Sequence, residues 1–101
     1  MGFEDQFRFS VHAVIPDREG RVLLLKQTYG DRRWGLPGGS VEPGETITDT
    51  ILRECREELG VEVVLGPLTG WYFHSAVNAQ VGIFRCAMPD PAGIRRTLQP
   101  W

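Results

Sequence analysis

Three glutamates, Glu54, Glu57 and Glu58, stand at i, i+3 and i+4 in the run Arg53-Glu54-Cys55-Arg56-Glu57-Glu58-Leu59-Gly60-Val61. Seven residues earlier ends a glycine-bracketed turn, Gly39-Ser40-Val41-Glu42-Pro43-Gly44-Glu45. The spacing predicts a helix that puts all three carboxylates on one side. Like charges so placed repel by a few tenths of a kcal/mol per pair. At ~100° per residue, Ile47, Ile51, Cys55 and Leu59 form one apolar stripe, with Leu52 at its edge. Glu54 and Glu58 fall beside that stripe rather than opposite it. An unpaired charge at the rim of a buried face is expensive, so the pattern asks for a cation. An oxygen-only set suits Mg²⁺ or Mn²⁺ better than zinc. The bland alternative is a solvated acidic helix face.

Periodicity and turn residues place this helix among strands. The helix is expected from about Thr46 to Leu59, capped by Glu45 or Thr46 and ended by Gly60. Phe7 to Ile15 alternates as a strand. Pro16 to Gly20 reads as a turn. Arg21 to Gln27 reads as a second strand, and Val22-Leu23-Leu24-Leu25 suggests burial on both faces. The two strands have the makings of a hairpin. Tyr29 to Arg33 is a polar loop, and the glycine-rich stretch Leu36 to Val41 lets backbone approach a ligand. Val61 to Leu65 is a strand candidate broken by Gly66-Pro67. Thr69 to His74 and Gln80 to Met88 are two more, joined by a turn around Asn78. From Pro89 onward Pro89, Pro91, Gly93 and Pro100 interrupt any long element.

Written as G-x5-E-x7-R-E-U-x-E-E-x-G-U, with U apolar, Gly39 to Val61 resembles a complete Nudix box. Gly39, Glu45, Arg53, Glu54, Glu57, Glu58, Gly60 and Val61 each fill a defined position. Cys55 takes the first apolar slot, and Thr50 stands where the family often has Ala. Trp34-Gly35-Leu36-Pro37-Gly38-Gly39 resembles the usual approach to the box. The resemblance to the Nudix hydrolase family covers about Phe7 to Met88. It implies an α/β fold, an α/β/α sandwich with a mixed central sheet, built as one domain. Family members continue with a further strand and a C-terminal helix. Here Ile94 to Trp101 stand in their place, so the expectation is a fold without those two elements.

The resemblance implies metal-dependent hydrolysis of the pyrophosphate bond of a nucleoside diphosphate linked to another moiety, with Mg²⁺ or Mn²⁺ as cofactor. The physical need is plain, since metal ions neutralise phosphate charge and lower the pKa of bound water. Glu54, Glu57 and Glu58 are the expected metal ligands, and the resemblance adds the Gly39 backbone carbonyl. Glu57 and Glu58, with Arg53 and Glu45, are the candidate catalytic set. Arg53 and Glu45 look like a supporting pair that fixes the loop on the helix. Arg53 pairing with Glu57 at i+4 is the plainer alternative. The base stays open between a box glutamate such as Glu58 and metal-bound hydroxide. No glutamate follows Glu62, and Asp90 is the sole later acid; His74 is a weaker candidate. Arg32, Arg33, Trp34 and Tyr72 are the candidate substrate contacts, with Tyr29 and Phe73 as further rings for a nucleobase. The alternative function is a Nudix-like binding or remnant module with impaired turnover.

Charge and composition agree with a small enzyme domain. The chain has 101 residues, 42% hydrophobic and 24% charged, enough for one core. Glu42 to Glu62 holds seven acidic and two basic residues, a balance of −5, so the rest of the chain, whose total is −2, stands at +3. That is an acidic site in a mildly basic surround, not the basic stripe of a nucleic-acid binder. The two cysteines, Cys55 and Cys86, read as small buried hydrophobes. With no charged-then-apolar leader and no apolar run long enough to span a membrane, the expected location is the cytoplasm. A sheet left open where the usual C-terminal elements are missing predicts a homodimer, against the alternative of a monomer covered by its own tail.

Overall fold

The structure, a computed structural model, describes residues 7–26 and 33–89. Strand β1 (Arg8–Val14) is the hub of a four-stranded mixed sheet of order β4-β1-β6-β5. It pairs antiparallel with β4 (Gly38–Ser40) and parallel with β6 (Ala79–Ala87), and β6 pairs antiparallel with β5 (Val64–His74). Two short strands, β2 (Leu25–Lys26) and β3 (Trp34–Gly35), form a separate antiparallel pair. Helix α1 (Ile47–Leu59) packs on β1 and β4.

The helix forms where its capping residues dictate. Thr46 is the N-cap, its hydroxyl accepting from the Asp49 N–H while Asp49 accepts from the Thr46 N–H. This reciprocal arrangement satisfies donors that a helix start otherwise leaves bare. At the other end Gly60 turns left-handed at φ 75°, its N–H reaching the Arg56 carbonyl. The expected stripe is the buried one. Ile51, Cys55 and Leu59 are fully buried against Val11, Ala13, Phe84 and Cys86, with Ile47 and Leu52 at the margin. Each large aliphatic so buried stabilises by about 1.5–3 kcal/mol. Both cysteines are free and buried, as read.

Two strand expectations change. Among the described residues of the segment Arg21 to Gln27, only Leu25–Lys26 is strand, and Val22 and Leu24 are exposed, so it is not buried on both faces. Asp17 accepts from the Glu19 and Arg21 N–H groups and from Arg21 Nε, so it holds this segment as a tight turn. The hairpin survives as one bridge, Pro16 to Val22, while β1 takes β4 and β6 as its strand neighbours. Gly66-Pro67 does not break the fifth strand either. β5 runs through it with register shifts between Leu65 and Gly70. It is an end strand of its sheet, where a proline lacks no ladder partner it needs. The turn at Asn78 is a short 3₁₀ helix, Ser75–Val77, closed by Asn78 at φ 52°.

The expected tail from Pro91 to Trp101, with Asp90, and the loop residues Tyr29 and Arg32 lie outside the described residues. Among the described residues, no helix is long and apolar enough to cross a membrane.

Candidate active site

The box loop is stitched to β1 from both ends. Ala13 N–H donates to the Pro37 carbonyl and Val41 N–H to the Phe9 carbonyl, both at 2.8 Å. Between them β4 pairs Gly38 with His12 and Gly39 with Val11. This brings the glycine strand against the carboxylates of α1. Gly38 N–H donates to Glu58 Oε1 at 2.9 Å. A Cβ at Gly39 would sit 2.6 Å from the Glu54 carboxyl carbon and under 3 Å from both its oxygens. Glu54 thus occupies the space that any side chain at 39 would take.

Arg53 ties the loop to the helix. Its Nε and Nη2 clasp the two Glu45 oxygens at 2.6 and 3.0 Å, a bidentate pair. Its Nη1 donates to Glu54 Oε1 at 2.8 Å and to Glu57 Oε1 at 3.1 Å. Nη2 also reaches the Ser40 carbonyl at 3.4 Å. The supporting pair and the plainer i+4 pair are therefore both present, on different nitrogens. Such fork-to-carboxylate contacts are the stronger class of hydrogen bond. Arg53 hydrogen bonding holds Glu45 down to about 2, and Glu45 in turn raises Arg53. Thr50 completes the clasp in a way the sequence did not announce. Fully buried, its hydroxyl donates to Glu45 Oε1 at 2.9 Å and lies 3.0 Å from the Thr46 carbonyl. An alanine there would remove one of three donors to Glu45 Oε1, leaving Arg53 Nη2 and the Glu42 N–H.

The remaining carboxylates are electrostatically loaded. Burial pushes Glu58 up to about 7, offset in part by the Gly38 N–H and reinforced by Glu54 and then Glu57. Burial also raises Glu54, and it outweighs the hydrogen bond from Arg53. Glu57 is the outermost of the three, its side chain 55% exposed. These donors suit a hard divalent cation. All are carboxylate oxygens, two are destabilised as anions by burial and mutual repulsion, and Gly39 leaves room for no side chain of its own. As the side chains are placed, among the described residues no three His, Cys, Asp or Glu groups converge to hold an ion. Glu54 and Glu57 share Arg53 Nη1 instead.

Among the described residues, the expected substrate contacts Trp34 and Tyr72 stand on β3 and β5. Trp34 is 62% exposed on β3, with Lys26 Nζ 5.9 Å from its ring centre. Arg33 is exposed beside it. Register places Tyr72 with Val81 and Ser10, whereas Gly39 lies in one row with Val11, Gly82 and Trp71. Successive residues of a strand face opposite sides, so Trp71, not Tyr72, shares the helix-side face. Trp71 packs over Gly82 and donates from Nε1 to Gln80 Oε1 at 2.9 Å. Its ring is 6.5 Å from that of Phe9. His74 ends β5 in an exposed position.

A family profile described as the NUDIX domain matches residues 6–91. The chain belongs to the NUDIX family. Its relatives in that family include the nucleoside triphosphatase NudI of Escherichia fergusonii, 51% identical over 65 residues, which are 59% of this chain and 45% of that protein. The NudI of Salmonella agona is 44% identical over 68 residues, 61% of this chain and 47% of the relative. The chain spans about half the length of these relatives. Among solved structures, a UDP-X diphosphatase superposes with a TM-score of 0.77 at 26% identity, over 88% of this chain and 45% of that one. A MutT protein from Methanosarcina mazei gives 0.68 at 30% identity, over 85% and 65%. The NUDIX fold accounts for the mixed sheet with the box helix on one face, and NUDIX hydrolases generally act with divalent metal ions.

Proposed function

We propose that this NUDIX chain hydrolyses the pyrophosphate bond of a nucleoside diphosphate linked to a further group, a nucleoside triphosphate being one such substrate. The observation that carries the reading is Glu58. It is a half-buried carboxylate, fixed by the Gly38 N–H and shifted to about 7 beside two further carboxylates. In the metal-free chain a group so tuned takes up a proton near neutral pH, the range in which a base works. Among the options for the base, the geometry favours Glu58. Glu54, Glu57 and Glu58, with the Gly39 carbonyl, would hold Mg²⁺ or Mn²⁺. Bound there, the ion supplies charge neutralisation for the phosphates and a more acidic water. The chain's own work is to hold these oxygens at the mouth of the loop. Arg53 orients Glu45, Glu54 and Glu57 together, and Thr50 locks Glu45. The face bearing Phe9 and Trp71 offers rings to the nucleoside end. The name of the NudI relatives supports a triphosphate among the substrates.

One observation favours the alternative of a binding or remnant module. Arg53 already engages Glu54 and Glu57, and the trio is not preassembled around an ion. A panel of nucleoside triphosphates and nucleoside diphosphate derivatives, incubated with Mg²⁺ or Mn²⁺, separates the two readings. Metal-dependent release of pyrophosphate or of nucleoside monophosphate is expected. Tight metal binding by calorimetry without any product leaves the module standing. Equal metal affinity in a Glu57→Gln plus Glu58→Gln double variant moves the ion elsewhere.

The assembly that goes with this reading is a homodimer through the outer edge of β5, an eleven-residue strand with Leu68, Tyr72 and Phe73 exposed. Among the described residues no strand pairs with that edge, and open edges of this length invite pairing. Light scattering at micromolar concentration is expected to give twice the chain mass, and a monomeric mass ends the idea.

A further inference from the structure

His12 sits in β1 on the face turned away from α1, directly beneath the start of the box loop. Its partner across the ladder is Gly38. A Cβ built on Gly38 would collide with the Val11 carbonyl and lie 2.7 Å from both His12 Cα and His12 Nδ1. The imidazole therefore fills the volume that a side chain at 38 would need. Gly38 itself lies at φ 149°, in the region that favours glycine. His12 Nδ1 faces the Leu36 carbonyl at 3.4 Å. A carbonyl accepts only, so Nδ1 carries the proton in this contact. Burial lowers the His12 pKa, while the Leu36 and Pro37 carbonyls act to raise it. One residue on, the Pro37 carbonyl is bonded to Ala13 N–H, and the next N–H, that of Gly38, holds Glu58.

These contacts form one continuous line from the far face of the sheet to the carboxylate cluster: imidazole, Leu36 carbonyl, Gly38 backbone, Glu58. We propose that His12 is a positioning residue, whose imidazole clamps the Leu36–Gly38 backbone so that the Gly38 N–H points at Glu58. Its action on turnover rests on the reading of Glu58 as a working group; its action on the Gly38 amide does not. A side chain that only packed the sheet would be indifferent to where its nitrogen lies. A clamp is not, because the donor must reach Leu36 from the Nδ1 position.

Two amides of similar polarity test this. Asn places its nitrogen near the Nδ1 position of histidine, whereas Gln places it near Nε2. In His12→Gln the Gly38 amide proton is expected to move in the NMR spectrum and to exchange faster. Turnover number should fall about tenfold with KM within twofold, in line with the cost of losing an orienting contact. In His12→Asn both readouts should return to within threefold of the parent. An unchanged Gly38 amide in His12→Gln overturns the proposal, and so does a His12→Asn as impaired as His12→Gln. A Gln variant too unstable to assay hands the test to His12→Leu, which fills the space without either nitrogen and carries the same expectation. If Glu58→Gln proves fully active, the reading of Glu58 fails, yet the Gly38 amide still decides the role of His12.

Discussion

Replacing Glu58 by Gln is expected to stop turnover and to stabilise the metal-free protein above pH 7. Gln keeps an oxygen to accept the Gly38 N–H, so the loop contact survives while the base and its charge are lost. General-base loss typically costs 10²–10⁴-fold. The stability effect has the opposite sign. Glu58 is raised from 4.5 to about 7 in the folded chain, so its contribution is fully present below pH 4.5 and disappears as pH climbs through 7. The swing is on the order of 2 kcal/mol once solvent around a half-exposed group is allowed for. For a chain of this size that amounts to roughly 10 °C of melting temperature. Melting curves from pH 5 to pH 8.5 should therefore slope downward in the parent and lie flatter in Glu58→Gln. Saturating Mg²⁺ should flatten the parent too, because a nearby cation favours the carboxylate. Parallel slopes in parent and variant would remove the burial argument, and a fully active variant would remove the base.

Two adjacent glycines should fail in different ways. Gly38→Ala drives a methyl into the Val11 carbonyl and the His12 backbone at φ 149°. Backbone has nowhere to go there, and a loss of more than ~3 kcal/mol is expected. Gly39→Ala meets first the end of the Glu54 side chain, which can swing aside. That variant should stay folded, within a few degrees of the parent, while metal affinity measured by calorimetry falls about 10–100-fold. Retained metal affinity in a folded Gly39→Ala protein would separate Glu54 from the ion.

Much of the helix was legible because its determinants are local. Thr46, Gly60 and the Ile51-Cys55-Leu59 stripe lie within one periodic segment, and Glu45 and Arg53 stand eight residues apart. What escaped was set by partners distant in sequence. The parallel pairing of β1 with β6 joins residues about seventy positions apart. Nothing in Gly66-Pro67 announces that it lies on an end strand, where Gly66 lets the Arg85 carbonyl come close and Pro67 is harmless. Val22 and Leu24 looked like core because a run of aliphatics carries no record of which neighbours will cover it. Within the site, the carboxylates and Arg53 were read from spacing. The Thr50 hydroxyl, the His12 contact with Leu36 and the Trp71 row were not, since each depends on which way a neighbouring strand faces. Trp71 and Tyr72 alternate across β5, and which of them shares the helix side follows from the pairing with β6.

The capping of α1 has an electrical consequence for the cluster at its far end. Thr46 and Asp49 close the start of the helix, and Glu54, Glu57 and Glu58 fall in its last two turns, with Arg56 the one basic residue of the final turn. Peptide dipoles along the thirteen-residue helix add up toward negative potential at that end. Glu57 and Glu58, in the final turn, therefore stand where the backbone itself disfavours anions and attracts cations, by about 0.3–1 kcal/mol per charge. Part of the hold on any ion gathered there belongs to no side chain, and would persist through the loss of any one glutamate.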